Sequence, residues 1–367
     1  MRVLHVITGL GVGGAEMQLW SMARHSQHET DVVTLYNPGA MAERLRGDGI
    51  SVRDIGMRKN TEVPALLKLH SIMREGRYDV VHAHLYRAQI YARPAARLAR
   101  VRAVVTTEHS IGETHIERRK MSTGVRALYL GSELFSDATI AVSGTVRERL
   151  EKWGVPSRKI TVIPNGLDFS RVEFDADARG RVRAEHGIPA DAFVVGVLGR
   201  LDPIKRFDMV IEAAAPLLDD QHKLLIVGDG SERAHLEQAA RGSGAAKHVI
   251  FAGERHDVGA MLSALDLFVA SSSQETFGLS VLEALANGLP ALYTVCPALD
   301  DVPTSRGRQV EGNAQALRAE LELEMRKPPG PREPAPEVRE HYGIESVSAR
   351  IDALYERIVS RSGRTAA

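Results

Sequence analysis

The sequence predicts an α/β fold built twice over, in two lobes of ordinary domain size. Three observations predict it. Short apolar runs rich in Val and Ile recur along the chain, stretches with helical spacing separate them, and a charged, strand-poor segment divides them into two series. Continuous apolar runs, without strict alternation, mark strands buried on both faces, as in parallel sheets covered by helices. At 367 residues the chain suits two domains, each able to bury its own core.

The first series reads VLHVIT, DVVTLY, DVVHAH, AVVTTEH, ATIAVS and TVIPN. RVLHVIT is a first strand and not a signal peptide, because its apolar core is short and glycine-rich sequence without a cleavage site follows. The segment 168–191, DFSRVEFDADARGRVRAEHGIPAD, is charged and poor in strand formers. It places a first domain at 1–170, a linker at 171–190 and a second domain at 191–343. The second series reads FVVGVLGR, KLLIVGDG, VIFAGE, DLFVAS and PALYTV. Proline makes KPPGPREPAP, 327–336, an exposed loop. Residues 344–360 carry apolar side chains at helical spacing, a final helix expected to pack back toward the first domain, and RSGRTAA reads as a frayed tail.

Composition excludes several classes of function. Lys plus Arg and Asp plus Glu both number 47, so no net charge draws the whole molecule to nucleic acid. The single cysteine, Cys296, makes no internal disulfide, and no apolar run reaches transmembrane length. The cytoplasm is the default compartment. Arg87, Arg93, Arg97, Arg100, Arg102, Arg118, Arg119 and Lys120 read either as solvated helix faces or as a landing patch on the inner face of an anionic membrane.

Ligands of doubly wound sheets sit beyond the carboxyl ends of the strands, so residues after each apolar run are the candidates. GLGVGGAE, 9–16, allows close backbone approach, and Gly13 and Gly14 begin a helix whose free N–H groups can face an anion. The second strand ends in Tyr36 and Asn37 instead of an acid, which argues against NAD. VHAH sets two histidines at i and i+2, but with no third ligand in an obvious frame zinc is disfavoured over loop packing. TTEHS offers His109 at a strand end, able to bind a hydroxyl or act on a proton. In GRLDPIKRFD, Arg200, Lys205 and Arg206 supply the cations a diphosphate needs from different directions. VGDGSER, with Ser231 as a helix cap, and the turn Gly253, Glu254, Arg255 either hold a nucleobase edge or are plain turns.

SSSQETFGLSVLEALANGLP completes the set. A strand, a loop and a helix follow one another, with Glu275 just ahead of the helix, Glu283 inside it and Gly288 as its stop. Carboxylates pair well with vicinal hydroxyls, so two of them roughly 10 Å apart can grip two sugar rings. The amides of Gly278, Leu279 and Ser280 would face phosphates between them. Read alone, Glu275 is equally a helix-start acid and Glu283 a surface residue.

Together these motifs, with AVS and VIPNGLD at 162–168, resemble the retaining glycosyltransferases of family 4, group 1, with the E-x(7)-E motif as ETFGLSVLE. The resemblance implies the GT-B fold, two Rossmann-like α/β domains facing across a central cleft and closing on donor by a hinge at the linker. It implies a nucleoside diphosphate sugar as donor, a uridine diphosphate sugar first and guanosine diphosphate mannose second. A hydroxyl acceptor, lipid-linked on the membrane-patch reading, would belong to glycan, glycolipid or secondary-metabolite synthesis. Arg200 and Lys205 would take the diphosphate, Glu283 the ribose, Glu275 and His109 the moving sugar, and backbone groups from Phe277 to Ser280, with Gly13 and Gly14, would complete the grip. The implied chemistry is front-face, without cofactor or metal, since the lone DxD, Asp175 to Asp177, falls in the linker. A nucleotide-sugar 2-epimerase or a silent sugar-nucleotide binder are the other readings. VCPALDDVPTSRG departs from the acidic or glycine-rich turn and PE pair usual in the family.

Overall fold

In the computed structural model, residues 1–11, 13–59, 61–117, 119–327 and 330–364 are described. Arg118 of the basic set and the end of the tail lie outside them. The chain forms two compact units, residues 1–166 with 344–367, and residues 167–343.

The first unit holds β1 (Arg2–Ile7), β2 (Glu29–Thr34), β3 (Ser51–Asp54), β4 (Val80–His84), β5 (Ala103–Glu108), a short antiparallel hairpin of β6 (His115–Ile116) and β7 (Arg119–Lys120), then β8 (Ala138–Ala141) and β9 (Ile160–Val162). Seven strands form one parallel sheet in the order β3-β2-β1-β4-β5-β8-β9. Every residue of β4 and β5 is buried, so neither run alternates by exposure, and each begins apolar and ends in buried polar side chains, His82 and His84 in β4 and Thr106, Thr107 and Glu108 in β5. The edge strand β3, SVRD, buries one residue of four and offers no such signal.

The final helix, Ile344–Arg364, belongs to this unit. Its Val347, Ile351, Leu354, Tyr355 and Ile358 share a core with Val3, Ile7, Val80 and Val105, one face of a 3.6-residue period. The VIPNG turn has a packing reason as well. A Cβ on Gly166 would lie 2.5 Å from Ile344 Cδ1, and the Gln18 side chain bonds both Gly166 N–H (2.9 Å) and its carbonyl (2.7 Å).

The second unit holds β10 (Phe193–Leu198), β11 (His222–Val227), β12 (Val249–Gly253), β13 (Leu267–Ala270), β14 (Ala291–Tyr293) and β15 (Gly307–Gln309), in the parallel order β12-β11-β10-β13-β14-β15. One sequence expectation is corrected here. Half of the segment 171–190 is not a linker: it forms the helix Ala176–Glu185, whose Arg183 and Arg179 both pair with Asp266 at 2.7 Å. Asp175, the first acid of the DxD, caps that helix by accepting from Ala178 N–H. The described residues of 327–335 form the largely exposed loop expected there, and Arg332 anchors it by bonding Asn287 Oδ1 (2.9 Å) and the carbonyls of Ser263 and Leu265.

Candidate active site

In the second sheet the chain order reverses between β10 and β13, so the loops leaving these two neighbouring strands diverge and open a crevice. Backbone bonds stitch the loops together: Ser273 N–H donates to Ile204 carbonyl (2.9 Å) and buried Ser271 Oγ to Lys205 carbonyl (2.6 Å). Across this join Lys205 Nζ meets Glu275 Oε1 at 2.6 Å, and Ser272 Oγ donates to the same oxygen at 2.8 Å. Both side chains are part-buried, at 24% and 19% exposure, so solvent screens the pair less than a surface bridge. Arg200 shares the loop but stands more open, 3.1 Å from Asp202. Arg206 is turned away from this cluster, its guanidinium on Gly312 carbonyl.

The helix Leu279–Ala286 begins next to this pair, with Gly278 as its N-cap and no side-chain cap. Its opening amides therefore lack intrahelical acceptors and carry the positive end of the dipole. Gly278 is required twice over: its φ is 98°, and a Cβ there would sit 2.5 Å from Cys296 Sγ. Buried Phe277 packs edge-on to Tyr342, and its carbonyl is used by Ala298 N–H. Glu283, a turn into the helix, is part-buried, and burial pushes its carboxyl up to about 7 against the pull of Arg171.

The remaining turns divide differently. Gly228 serves the fold, since its φ is 136° and a Cβ would lie 1.9 Å from Gly199 carbonyl. Ser231 is not a cap: the helix Arg233–Gly242 starts from Glu232 without a side-chain bond. Gly253 ends β12 and Glu254 follows it, while Arg255 spends its guanidinium on Glu185 and Asp257. That pairing places Arg255 in a structural clamp.

In the first unit Gly13 caps the helix Gly14–His25, and nothing packs within 4 Å of a Cβ placed on Gly14. Glu16 in the first turn complements the dipole there. His109 follows β5 beside fully buried Glu108, whose carboxyl burial raises to about 6.

The VHAH pair is not loop packing. His82 and His84 are wholly buried in β4, and β1 brings His5 level with His82 on the same face. Sequence reasoning missed His5; the parallel register of VLHVIT against DVVHAH, and a polar residue inside an apolar strand, were the available signals. Ligand nitrogens of the three lie within 4.8 Å of one another. A metal fits them poorly, because His82 Nδ1 and Nε2 are each 2.6 Å from a hydroxyl, Tyr355 and Thr107, and its ring stacks on His84 at 4.1 Å with the planes tilted.

The basic set of the first unit is partly structural. Arg93 is fully buried, 2.5 Å from Glu133, and so is removed from any membrane patch. Arg97 pairs with Asp137 at 2.6 Å. Among the described residues no helix is long and apolar enough to cross a membrane.

Comparison with known proteins bears on both units. A family model described as Glycosyltransferase Family 4 matches residues 12–171, and one described as Glycosyl transferases group 1 matches 178–333. The Escherichia coli UDP-Gal:alpha-D-GlcNAc-diphosphoundecaprenol alpha-1,3-galactosyltransferase is 29% identical over 66% of this chain; the match spans 64% of that enzyme, just under two thirds of its length. A GDP-mannose-dependent alpha-mannosyltransferase of Mycobacterium tuberculosis is 29% identical over 77% of this chain and 74% of its own. Among solved structures, Anabaena HepE in complex with UDP and glucose superimposes with a TM-score of 0.86 at 22% identity, covering 97% of this chain and all of that one. Structural likeness at that identity speaks for the GT-B fold.

Proposed function

The chain belongs to the group 1, family 4 glycosyltransferases, and from that premise we propose that it moves a sugar from a nucleoside diphosphate sugar to a hydroxyl acceptor with retained anomeric configuration. The observation that carries the reading is the Lys205–Glu275 pair at the crevice of the second sheet, beside an uncapped helix start. A diphosphate would draw Lys205 from Glu275, and the released carboxylate would accept from hydroxyls of the moving sugar. Arg200 and the amides of Leu279 and Ser280 stabilise the negative leaving group. The departing phosphate oxygen takes the acceptor proton on the same face as the C–O bond to the donor breaks, and Lys205, Arg200 and the helix start balance the leaving charge in place of a metal.

Ionised Glu283 holds the ribose hydroxyls, and His109 meets the donor sugar. A uridine diphosphate sugar is the favoured donor, with support from the galactosyltransferase relative and from HepE; the mannosyltransferase relative supports guanosine diphosphate mannose as the second. The relative named for a GlcNAc-diphosphoundecaprenol substrate supports a lipid-linked acceptor.

Incubating the protein with a panel of uridine and guanosine diphosphate sugars, and following slow hydrolysis by mass spectrometry, tests the donor. Hydrolysis of one donor, insensitive to EDTA, with the α-anomer as the first sugar seen by NMR is the expected result. Epimerised nucleotide sugar without hydrolysis, or tight binding with no turnover in the presence of a sugar-lipid acceptor, would replace transfer by the epimerase or the binder.

A further inference from the structure

Four histidines of the first unit lie under one roof, and three of them form a line. His5 Nδ1 is 2.9 Å from His84 Nε2, and His84 Nδ1 is 3.2 Å from His109 Nε2. The His5 and His84 rings are stacked, as are those of His84 and His109, with centroids 5.2 and 5.5 Å apart. His82 stands outside the line, pinned between Thr107 and Tyr355. Burial holds all four below the usual histidine range, His5 and His109 at about 4, so the rings are neutral at physiological pH.

A neutral imidazole has one donor nitrogen and one acceptor. If His84 donates from Nδ1 to His109, it must accept at Nε2 from His5, and His109 then carries its proton on Nδ1. Reversing the line moves every proton to the other nitrogen of its ring. A mixed state sets lone pair against lone pair, or proton against proton, between rings of which His5 and His84 are buried. The tautomer of the ring at the strand end is thus tied to two rings behind it.

We propose that His5 and His84 are positioning residues, which hold the ring of His109 and couple its tautomer to their own through this line of imidazole hydrogen bonds. Its catalytic consequence rests on the function proposed above; the positioning itself does not. The sequence carries the device in three separate strands, as the His of VLHVIT, the second His of VHAH and the His of TTEH.

The test is long-range proton–nitrogen correlation NMR on the full chain labelled at histidine nitrogens, with His109 assigned from its Asn variant. The wild type should show His5, His84 and His109 neutral and in the same tautomer, all protonated on Nδ1 or all on Nε2. His84→Leu, which breaks the line, should uncouple His109 from His5 and change its tautomer populations, and His84→Gln, which can still donate and accept, should return them toward the wild type. His5→Gln at the far end serves if His84→Leu does not fold, and should shift the His84 and His109 signals together. In donor hydrolysis the Leu variant should lose kcat by on the order of tenfold to a hundredfold, with unchanged affinity for uridine diphosphate and partial rescue by Gln. A His109 spectrum identical in wild type and His84→Leu, or one zinc per chain that is lost with His84, would overturn the proposal. Altered tautomers with unaltered turnover would uphold the positioning and remove His109 from the reaction.

Discussion

Replacing Glu283 by glutamine should stabilise the second unit and weaken its hold on a nucleotide. Burial moves this carboxyl from 4.5 to about 7, with Arg171 acting the other way. That displacement corresponds to ~3.4 kcal/mol of unfavourable ionisation, and the solvent the side chain still meets should bring the cost to about 2 kcal/mol. The sign follows from which state ionises first. Below the unfolded value both states keep the proton and the cost is zero. As pH rises through the gap the unfolded chain ionises while the folded one does not, so stability falls. Above about 7 both are ionised and the loss is complete. Glutamine never ionises, so wild type and variant should melt together near pH 4 and separate by roughly 4 to 8 °C near pH 8.

Binding should move in the opposite direction. A carboxylate bonded to ribose hydroxyls contributes about 1.5–3 kcal/mol, so Glu283→Gln should bind uridine diphosphate ~10- to 100-fold more weakly. The variant should also lose the preference for uridine diphosphate over its 2′-deoxy form. Scanning calorimetry across pH and titration calorimetry with the two nucleotides read both effects. A melting difference that is the same at pH 4 and 8 would refute the assigned burial cost. Undiminished discrimination against the deoxynucleotide would refute the ribose contact.

Glu275→Ala should abolish transfer while leaving affinity for uridine diphosphate largely intact, whereas Arg200→Ala should weaken that affinity; equal losses in titration calorimetry would sink this division of roles. Gly278→Ala forces a Cβ to within 2.5 Å of Cys296 Sγ at a φ of 98°, and should destabilise by about 2–4 kcal/mol in urea unfolding. Arg93→Met leaves Glu133 in the core without the counter-ion now 2.5 Å away, which should cost roughly 3–5 kcal/mol. Adding Glu133→Leu should recover much of it, and a double variant no more stable than Arg93→Met would contradict the ion-pair account.

What the sequence made legible was whatever leaves a local trace. Strands β4 and β5 open on unbroken apolar runs, Val80–Val81 and Ala103–Val105, because both faces are covered, and the helix behind Glu275 announces itself by spacing and by Gly288. β3 and β15 escaped because edge strands of three or four residues with mostly exposed side chains carry no such pattern. Residues 171–190 looked like a linker because the helix Ala176–Glu185 buries few apolar side chains and is held by Arg179 and Arg183 on Asp266, a partner more than eighty residues away. Ser231 failed as a cap because the turn after Gly230 runs further, Glu232 N–H bonding Leu201 carbonyl. The glycines were ambiguous for a physical reason. Gly228 answers to a neighbouring backbone and Gly278 to a cysteine sulfur, and neither partner is near in sequence.

The join of Lys205 to Glu275 spans seventy positions, and only the sheet order explains it. Neighbouring strands whose chains wind in opposite directions leave their loops facing one crevice, so residues after β10 and after β13 are brought together whatever lies between them. Within that crevice an ammonium prepared for a diphosphate would be poorly solvated while it waits, and the carboxylate supplies its counter-charge. Anion binding is then an exchange of partners for Lys205 rather than the burial of a new charge. The exchange frees Glu275 at the moment a sugar is carried in beside it. A nucleoside diphosphate alone would leave that carboxylate without its cation, whereas the sugar-bearing form offers hydroxyls in return. On the proposed function, one ion pair would therefore tie recognition of the phosphates to recognition of the group that is to be moved.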